Sequence, residues 1–202
     1  MTSHQSITLA LTGGIACGKS ETGRILAEQG FAVLDTDLLA HDLMKPGTLV
    51  FQKVIERFGE KVIGADGALN RAVLGRIVFD DSSARSELNR MVHPAVIEAA
   101  EQWKTAQSGD AAVMVPLLFE TDWTDGWDVI VCVSADEETV FRRLEKRGLS
   151  RVEAISRIEA QMPLHEKEKR SDFIINNSGT LDALHYEVCS MLKCIRNQRN
   201  TE

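Results

Sequence analysis

The chain has 202 residues, 44% of them hydrophobic and 26% charged, which suits one α/β domain with insertions and leaves ample apolar material for a core. Its 23 basic against 30 acidic residues give a net charge of −7, the opposite of the basic excess that a general nucleic-acid binder carries. No apolar run approaches the roughly 18 residues of a membrane span. The polar residues 1–6 do not read as a signal peptide and the four cysteines form no C-x-x-C pair, so reduced thiols in a cytoplasmic protein are expected.

Residues 7–11 are a short apolar run with β character. They lead into Gly13-Gly14-Ile15-Ala16-Cys17-Gly18-Lys19-Ser20, which fits G-x-x-x-x-G-K-[ST] at every position. Residues 21–29 read as a helix, with Ile25 and Leu26 on its apolar face and Gly30 as its stop. Strand, glycine loop and helix is the context that phosphate binding requires. Small residues let backbone N–H groups turn around the phosphates, Lys19 adds a point charge toward the β and γ groups, and the Ser20 hydroxyl can ligate Mg²⁺. The chain is therefore expected to bind a nucleoside triphosphate. A left-handed conformation at Ala16 would cost about 1 kcal/mol or more relative to glycine. Glu21 should turn its carboxylate away from the phosphates. Cys17, close to Lys19 and a helix N-terminus, is expected to be a reactive thiol.

Residues 31–34 form a second strand that delivers Asp35-Thr36-Asp37 at its carboxyl end. In a right-handed βαβ unit the ligand site lies off the carboxyl ends of the strands, which puts Asp37 on the rim of the glycine loop. Either aspartate could instead cap the helix that follows. From residue 41 to about 110 the pattern is helical. Residues 48–58 form one helix stopped by Gly59, and Ala65-Asp66-Gly67 is a turn. Asn70 caps a helix carrying Val73, Leu74, Ile77, Val78 and Phe79. A further helix carries Leu88, Met91 and Val92, and Pro94 is placed in the first turn of another that runs to about residue 107. A connection this long between parallel strands reads as an inserted helical subdomain that grips a second substrate. Arg71 and His93 are candidates for that grip, or else a solvated arginine and a capping histidine.

Residues 111–115 and 127–133 return to strand. Ser134-x-x-Glu137 and Ser150-x-x-Glu153 read as capping boxes for helices through Arg147 and Gln161. Nine lysines and arginines lie between Arg142 and Arg170 in an otherwise acidic chain. That concentration suggests a helical lid over a triphosphate, with Arg143 and Arg147 one turn apart on one face. Residues 172–177 are a last strand, and a closing helix from Thr180 carries Leu181, Leu184, Val188, Met191, Leu192 and Ile195 at core spacing. The chain has no N-K-x-D guanine motif and no apolar strand ending in a Walker-B aspartate. An acceptor subdomain, a basic lid and a carboxylate near the γ-phosphate favour a small-molecule kinase. A nucleotide-binding interaction protein without turnover is the competing reading.

In order along the chain, several stretches together resemble the dephospho-coenzyme A kinase family. They are the glycine loop, Asp35-Thr36-Asp37, Gly67-Ala68-Leu69-Asn70-Arg71, His93-Pro94, Val115-Pro116-Leu117-Leu118-Phe119-Glu120, Arg143-Leu144 with Arg147, Arg157-Ile158 with Gln161, and Asp172-Phe173-Ile174-Ile175-Asn176-Asn177. The resemblance implies phosphorylation of the ribose 3′-hydroxyl of dephospho-coenzyme A by ATP with Mg²⁺. It implies a P-loop kinase fold of class α/β, a five-stranded parallel sheet flanked by helices. The nucleotide core would comprise residues 7–37, 111–135 and 171–202, the helical acceptor subdomain 38–110, and the lid 136–170. The match assigns the triphosphate to Gly13 through Ser20, with Glu21 adjoining. Arg143 becomes a cation on the transferring phosphates, Arg147 and Asn177 further nucleotide contacts, and Asp37 the base. Arg71, His93, Leu117 and Glu120 join Asp37 on the acceptor. The partners implied are these small molecules, with no nucleic acid or membrane, for a monomer or small homo-oligomer. Another P-loop small-molecule or nucleotide kinase is the alternative.

Overall fold

The five apolar runs become β1 (Thr8–Gly13), β2 (Ala32–Asp35), β3 (Ala111–Met114), β4 (Val129–Ser134) and β5 (Phe173–Asn176), joined in one sheet of order β2-β3-β1-β4-β5. β1 pairs in parallel with β3, Leu9 opposite Ala112, and with β4, Leu9 opposite Val129; β4 pairs in parallel with β5, Cys132 opposite Ile174. The computed structural model describes residues 6–199. Helices on both faces bury a parallel sheet, so its central strands are apolar throughout and do not alternate. All of β3 is buried, as are Leu9, Leu11, Val131 and Val133. This is the α/β class expected.

The helices are α1 (Lys19–Glu28), α2 (Thr36–Leu43), α3 (Leu49–Phe58), α4 (Arg71–Asp80), α5 (Ser82–Thr105), α6 (Glu137–Lys146), α7 (Arg151–Glu159), α8 (Leu164–Lys169) and α9 (Leu181–Arg199). The chain divides into two compact units, one of Met1–Leu34 with Gln107–Glu202 and one of Asp35–Ala106. In the first, α1 contributes Ile25 and Leu26 and α9 contributes Leu184, Val188, Leu192 and Ile195 to the core around the sheet. Each such side chain stabilises the fold by about 1.5–3 kcal/mol when fully buried. Helices α6, α7 and α8, where a lid was expected, also fall in this unit. The second unit has its own core of Val50, Val54, Phe58, Val62, Leu74, Ala84, Val92 and Val96. Within it, Ala65-Asp66-Gly67 closes a small antiparallel bridge, Ile63 to Leu69.

Most helix starts follow their capping residues. Asp35 accepts from the N–H groups of Asp37 and Leu38, Asn70 from Val73, and Ser150 with Glu153 forms the reciprocal box expected. Two expectations are corrected. The cap of α6 is Asp136, which accepts from Thr139 N–H at 2.6 Å; Ser134 is still in β4, and its hydroxyl donates to Glu168 instead. The two helices expected to meet at Pro94 are one continuous α5 with the proline inside. An interior proline costs about 3 kcal/mol in a helix. Val92, Val96 and Ala100 keep one buried face in register across it, and that packing outweighs the lost hydrogen bond.

Candidate active site

β1 ends at Gly13 and α1 begins at Lys19, so the glycine loop turns directly from sheet into helix. A Cβ on Gly13 would lie 2.2 Å from the Val133 carbonyl oxygen, and one on Gly18 would lie 2.0 Å from Asn177 Nδ2. Gly18 also has φ 109°, so both glycines are obligatory where the loop is closest to its supports. Ala16 does adopt the left-handed conformation, with φ 58°, and carries the strain expected of it.

The loop is held from outside by two side chains distant in sequence. Arg143 Nη1 donates to the carbonyls of Ala16 (3.1 Å) and Cys17 (3.3 Å), and its Nη2 donates to Asn177 O (2.9 Å). Asn177 Nδ2 donates to Cys17 O at 2.8 Å. A trans peptide points its C=O and N–H in opposite directions. Fixing these two carbonyls therefore turns the N–H groups of Cys17 and Gly18 to the loop's other side, where Cys17 N–H donates to Gly14 O at 3.3 Å. Lys19 Nζ donates to Gly13 O (2.9 Å) and Gly14 O (2.8 Å), folding the lysine back over the loop. No side chain caps α1, so its first N–H groups meet whatever anion the loop receives. Ser20 is exposed in that first turn. Glu21 bonds Arg24 and is turned aside, as expected.

Cys17 is a correction. Its side chain is buried, and burial raises its pKa above that of a free thiol although Lys19 and Arg143 pull the other way. Cys132 is likewise buried and is pushed up to about 12. Cys194 is exposed and Cys189 half-buried. Brief alkylation of the native protein should therefore label Cys194 first and leave activity intact. Mass-spectrometric mapping that finds Cys17 modified first, with loss of activity, would restore the reactive-thiol reading.

The basic stretch is also distributed differently from a clamp. Arg143 is on the loop, while Arg147 is exposed at the C-terminal cap of α6. Arg142 donates to the Thr139 hydroxyl, Arg151 stacks on Phe141 and Arg170 on Phe119. Lys167 is fully buried, donating to Pro116 O (2.7 Å) and pairing with Glu120 (2.8 Å). Glu120 also accepts from Met162 N–H at 2.9 Å, so the carboxylate expected on the acceptor ties α8 to the turn after β3. Leu117 is half-buried at the start of that turn.

In the helical unit, Arg71 lines a cleft of about 540 Å³ with Leu38, His41, Lys45, Pro46 and Leu69, and its Nη2 donates to His41 O at 3.3 Å. His93 is not among the cleft's lining residues. It is half-buried on α5, and burial lowers its pKa, so it is neutral at pH 7. Asp35 takes the cap of α2, and Asp37 is exposed in the first turn. The sequence reading gave no role to Gln161, whose carboxamide oxygen accepts from Ile15 N–H in the loop at 3.1 Å. Its only signal there was its place in the family-like stretch with Arg157.

A strand, a glycine loop crossed by its own lysine and a helix entered from that loop, set in a parallel sheet of this order, define a P-loop phosphotransferase. The dephospho-CoA kinase family profile matches residues 7–183. The dephospho-CoA kinase of Carboxydothermus hydrogenoformans is 43% identical over 190 residues, covering 92% of each chain. Among solved structures, TT1252 from Thermus thermophilus superposes with a TM-score of 0.78 at 32% identity over 94% of this chain and 97% of that one. The dephospho-CoA kinase from Campylobacter jejuni superposes with a TM-score of 0.68 at 25% identity, over 96% and 100%. The chain belongs to the dephospho-CoA kinase family and is an enzyme of that activity. The family implies ATP as a substrate. No described helix is long and apolar enough to cross a membrane.

Proposed function

We propose that the enzyme moves the γ-phosphoryl group of ATP to the ribose 3′-hydroxyl of dephospho-coenzyme A, with Lys19, Arg143 and Asp37 in the leading roles. The observation that carries this reading is the glycine loop, whose outward carbonyls are bound by Arg143 and Asn177, which turns Gly18 N–H to the opposite side of the loop. Phosphoryl transfer asks for positioning and charge stabilisation more than covalent chemistry, and a preset loop supplies both. Arg143 acts through the loop backbone, and Asn177 shares that work. Lys19 carries its charge to the β and γ phosphates.

Mg²⁺ supplies charge neutralisation across the phosphates when bound. Ser20, exposed in the first turn of α1, would hold the cation through its hydroxyl beside the substrate phosphates. The acceptor's seat is the cleft of the helical unit. Arg71 and Lys45 offer charge to its phosphates, and Leu38, Pro46 and Leu69 offer apolar surface to its pantetheine arm. Asp37 takes the proton from the hydroxyl. Its support is its place two residues after β2, together with the assignment of the helix cap to Asp35.

The test is an ADP-release assay that offers dephospho-coenzyme A beside nucleoside monophosphates, shikimate and pantothenate, with the product phosphate located by ³¹P–¹H correlation. The expected result is Mg²⁺-dependent turnover of dephospho-coenzyme A alone and a 3′-phosphate. Turnover of another acceptor without dephospho-coenzyme A, or phosphate on another hydroxyl, would overturn it.

A further inference from the structure

Three hydrogen bonds grip one peptide unit of the phosphate loop from opposite ends. Gly14 C=O accepts from Lys19 Nζ at 2.8 Å and from Cys17 N–H at 3.3 Å, and the N–H of the same peptide, belonging to Ile15, donates to Gln161 Oε1 at 3.1 Å. The peptide is a rigid plane with its C=O and N–H opposed, so bonds at both ends together fix its rotation. A flip would carry the carbonyl away from Lys19 and bring an N–H to face the ammonium, a donor against a donor.

Gln161 is itself fixed. It lies just past the end of α7, where its N–H donates to Ile158 O at 3.2 Å, and the next residue, Met162, gives its N–H to Glu120. Glu120 is in turn held by the buried Lys167, whose ammonium is also bound by Pro116 O. Leu164, at the start of α8, lies against Gly14: a Cβ there would be 3.6 Å from one of its methyl groups. The turn after β3, the start of α8 and the phosphate loop are thus joined through a few groups, none of which the phosphate chemistry requires.

We propose that Gln161 is a positioning residue for the kinase reaction, locking the Gly14–Ile15 peptide so that Lys19 is presented to the triphosphate, and that Glu120 holds Gln161 in place. This assigns Glu120 to the nucleotide side of the reaction and takes it off the acceptor. The inference rests on the loop being the triphosphate site, which ATP binding by the unmutated enzyme checks separately.

The test is a double-mutant cycle read by the dissociation constant for Mg-ATP. Gln161→Met keeps length and apolar stem but has no acceptor of comparable strength for Ile15 N–H. It should weaken ATP binding by about tenfold, the order of one lost hydrogen bond at a part-buried donor. Because Gln161 acts through Lys19, the same change made in a Lys19→Met background should weaken binding by less than about threefold. Equal losses in the two backgrounds would show a structural effect unrelated to Lys19 and overturn the proposal, as would no loss in either. Glu120→Gln, which keeps an oxygen for Met162 N–H, should leave the KM for dephospho-coenzyme A unchanged. A rise in that KM with ATP binding unchanged would return Glu120 to the acceptor.

Discussion

Replacing Lys19 with alanine is expected to lower kcat by about 10²–10³, the cost of removing one preorganised donor from a developing negative charge. Lys19 is the residue by which the loop reaches its ligand, and its ammonium is already drawn over the loop by Gly13 O and Gly14 O. Thermal stability should fall far less, because the side chain is half-buried and water can replace it at those two carbonyls. ATP affinity and kcat are to be measured together. Loss confined to affinity would mean that Lys19 only binds the ground state, since an interaction felt equally in ground and transition states leaves kcat unchanged. A folded variant within tenfold of the original kcat would remove Lys19 from the chemistry.

The glycine loop was legible in the sequence because its requirements are local. Lys19 answers to carbonyls five and six positions away, and Gly13 and Gly18 to backbone angles of their own. The strands were legible for a similar reason, since a buried parallel sheet needs unbroken apolar runs and β1, β3 and β4 supply them. The loop's supports were not legible. Arg143 meets Ala16 across 127 positions and Gln161 meets Ile15 across 146, and neither distance leaves a trace in a single chain. Without those pairings, Arg143 reads as a cation on the phosphates, and Arg151 and Lys167 as members of one charge run. In the structure they hold the loop, stack on a ring and pair with Glu120. Cys17 and Pro94 failed for a shared reason. Local chemistry favoured a thiolate and a helix break, and tertiary burial overrode both.

Asp37 is the residue on which structure sharpens the test most. Both Asp35 and Asp37 could have capped α2 by sequence, and a substitution at either would then have mixed a folding effect with a chemical one. The cap belongs to Asp35, whose Oδ1 accepts from Asp37 N–H at 2.8 Å and from Leu38 N–H at 3.3 Å. Asparagine caps about as well as aspartate, so Asp35→Asn should leave both stability and turnover close to normal. Asp37→Asn removes a carboxylate charge from the first turn of a helix, where such a charge contributes about 0.3–1 kcal/mol. The variant should therefore fold and bind ATP as before. If Asp37 is the base proposed here, an amide cannot take the proton of the acceptor hydroxyl, and general-base loss lowers rates by about 10²–10⁴. A loose transition state leaves that proton transfer late, which sets the expectation for kcat near the lower end, about a hundredfold. The contrast between two aspartates two positions apart is the measurement. A hundredfold loss for Asp37→Asn beside a near-normal Asp35→Asn assigns the base, and kcat within tenfold of the original for Asp37→Asn removes it.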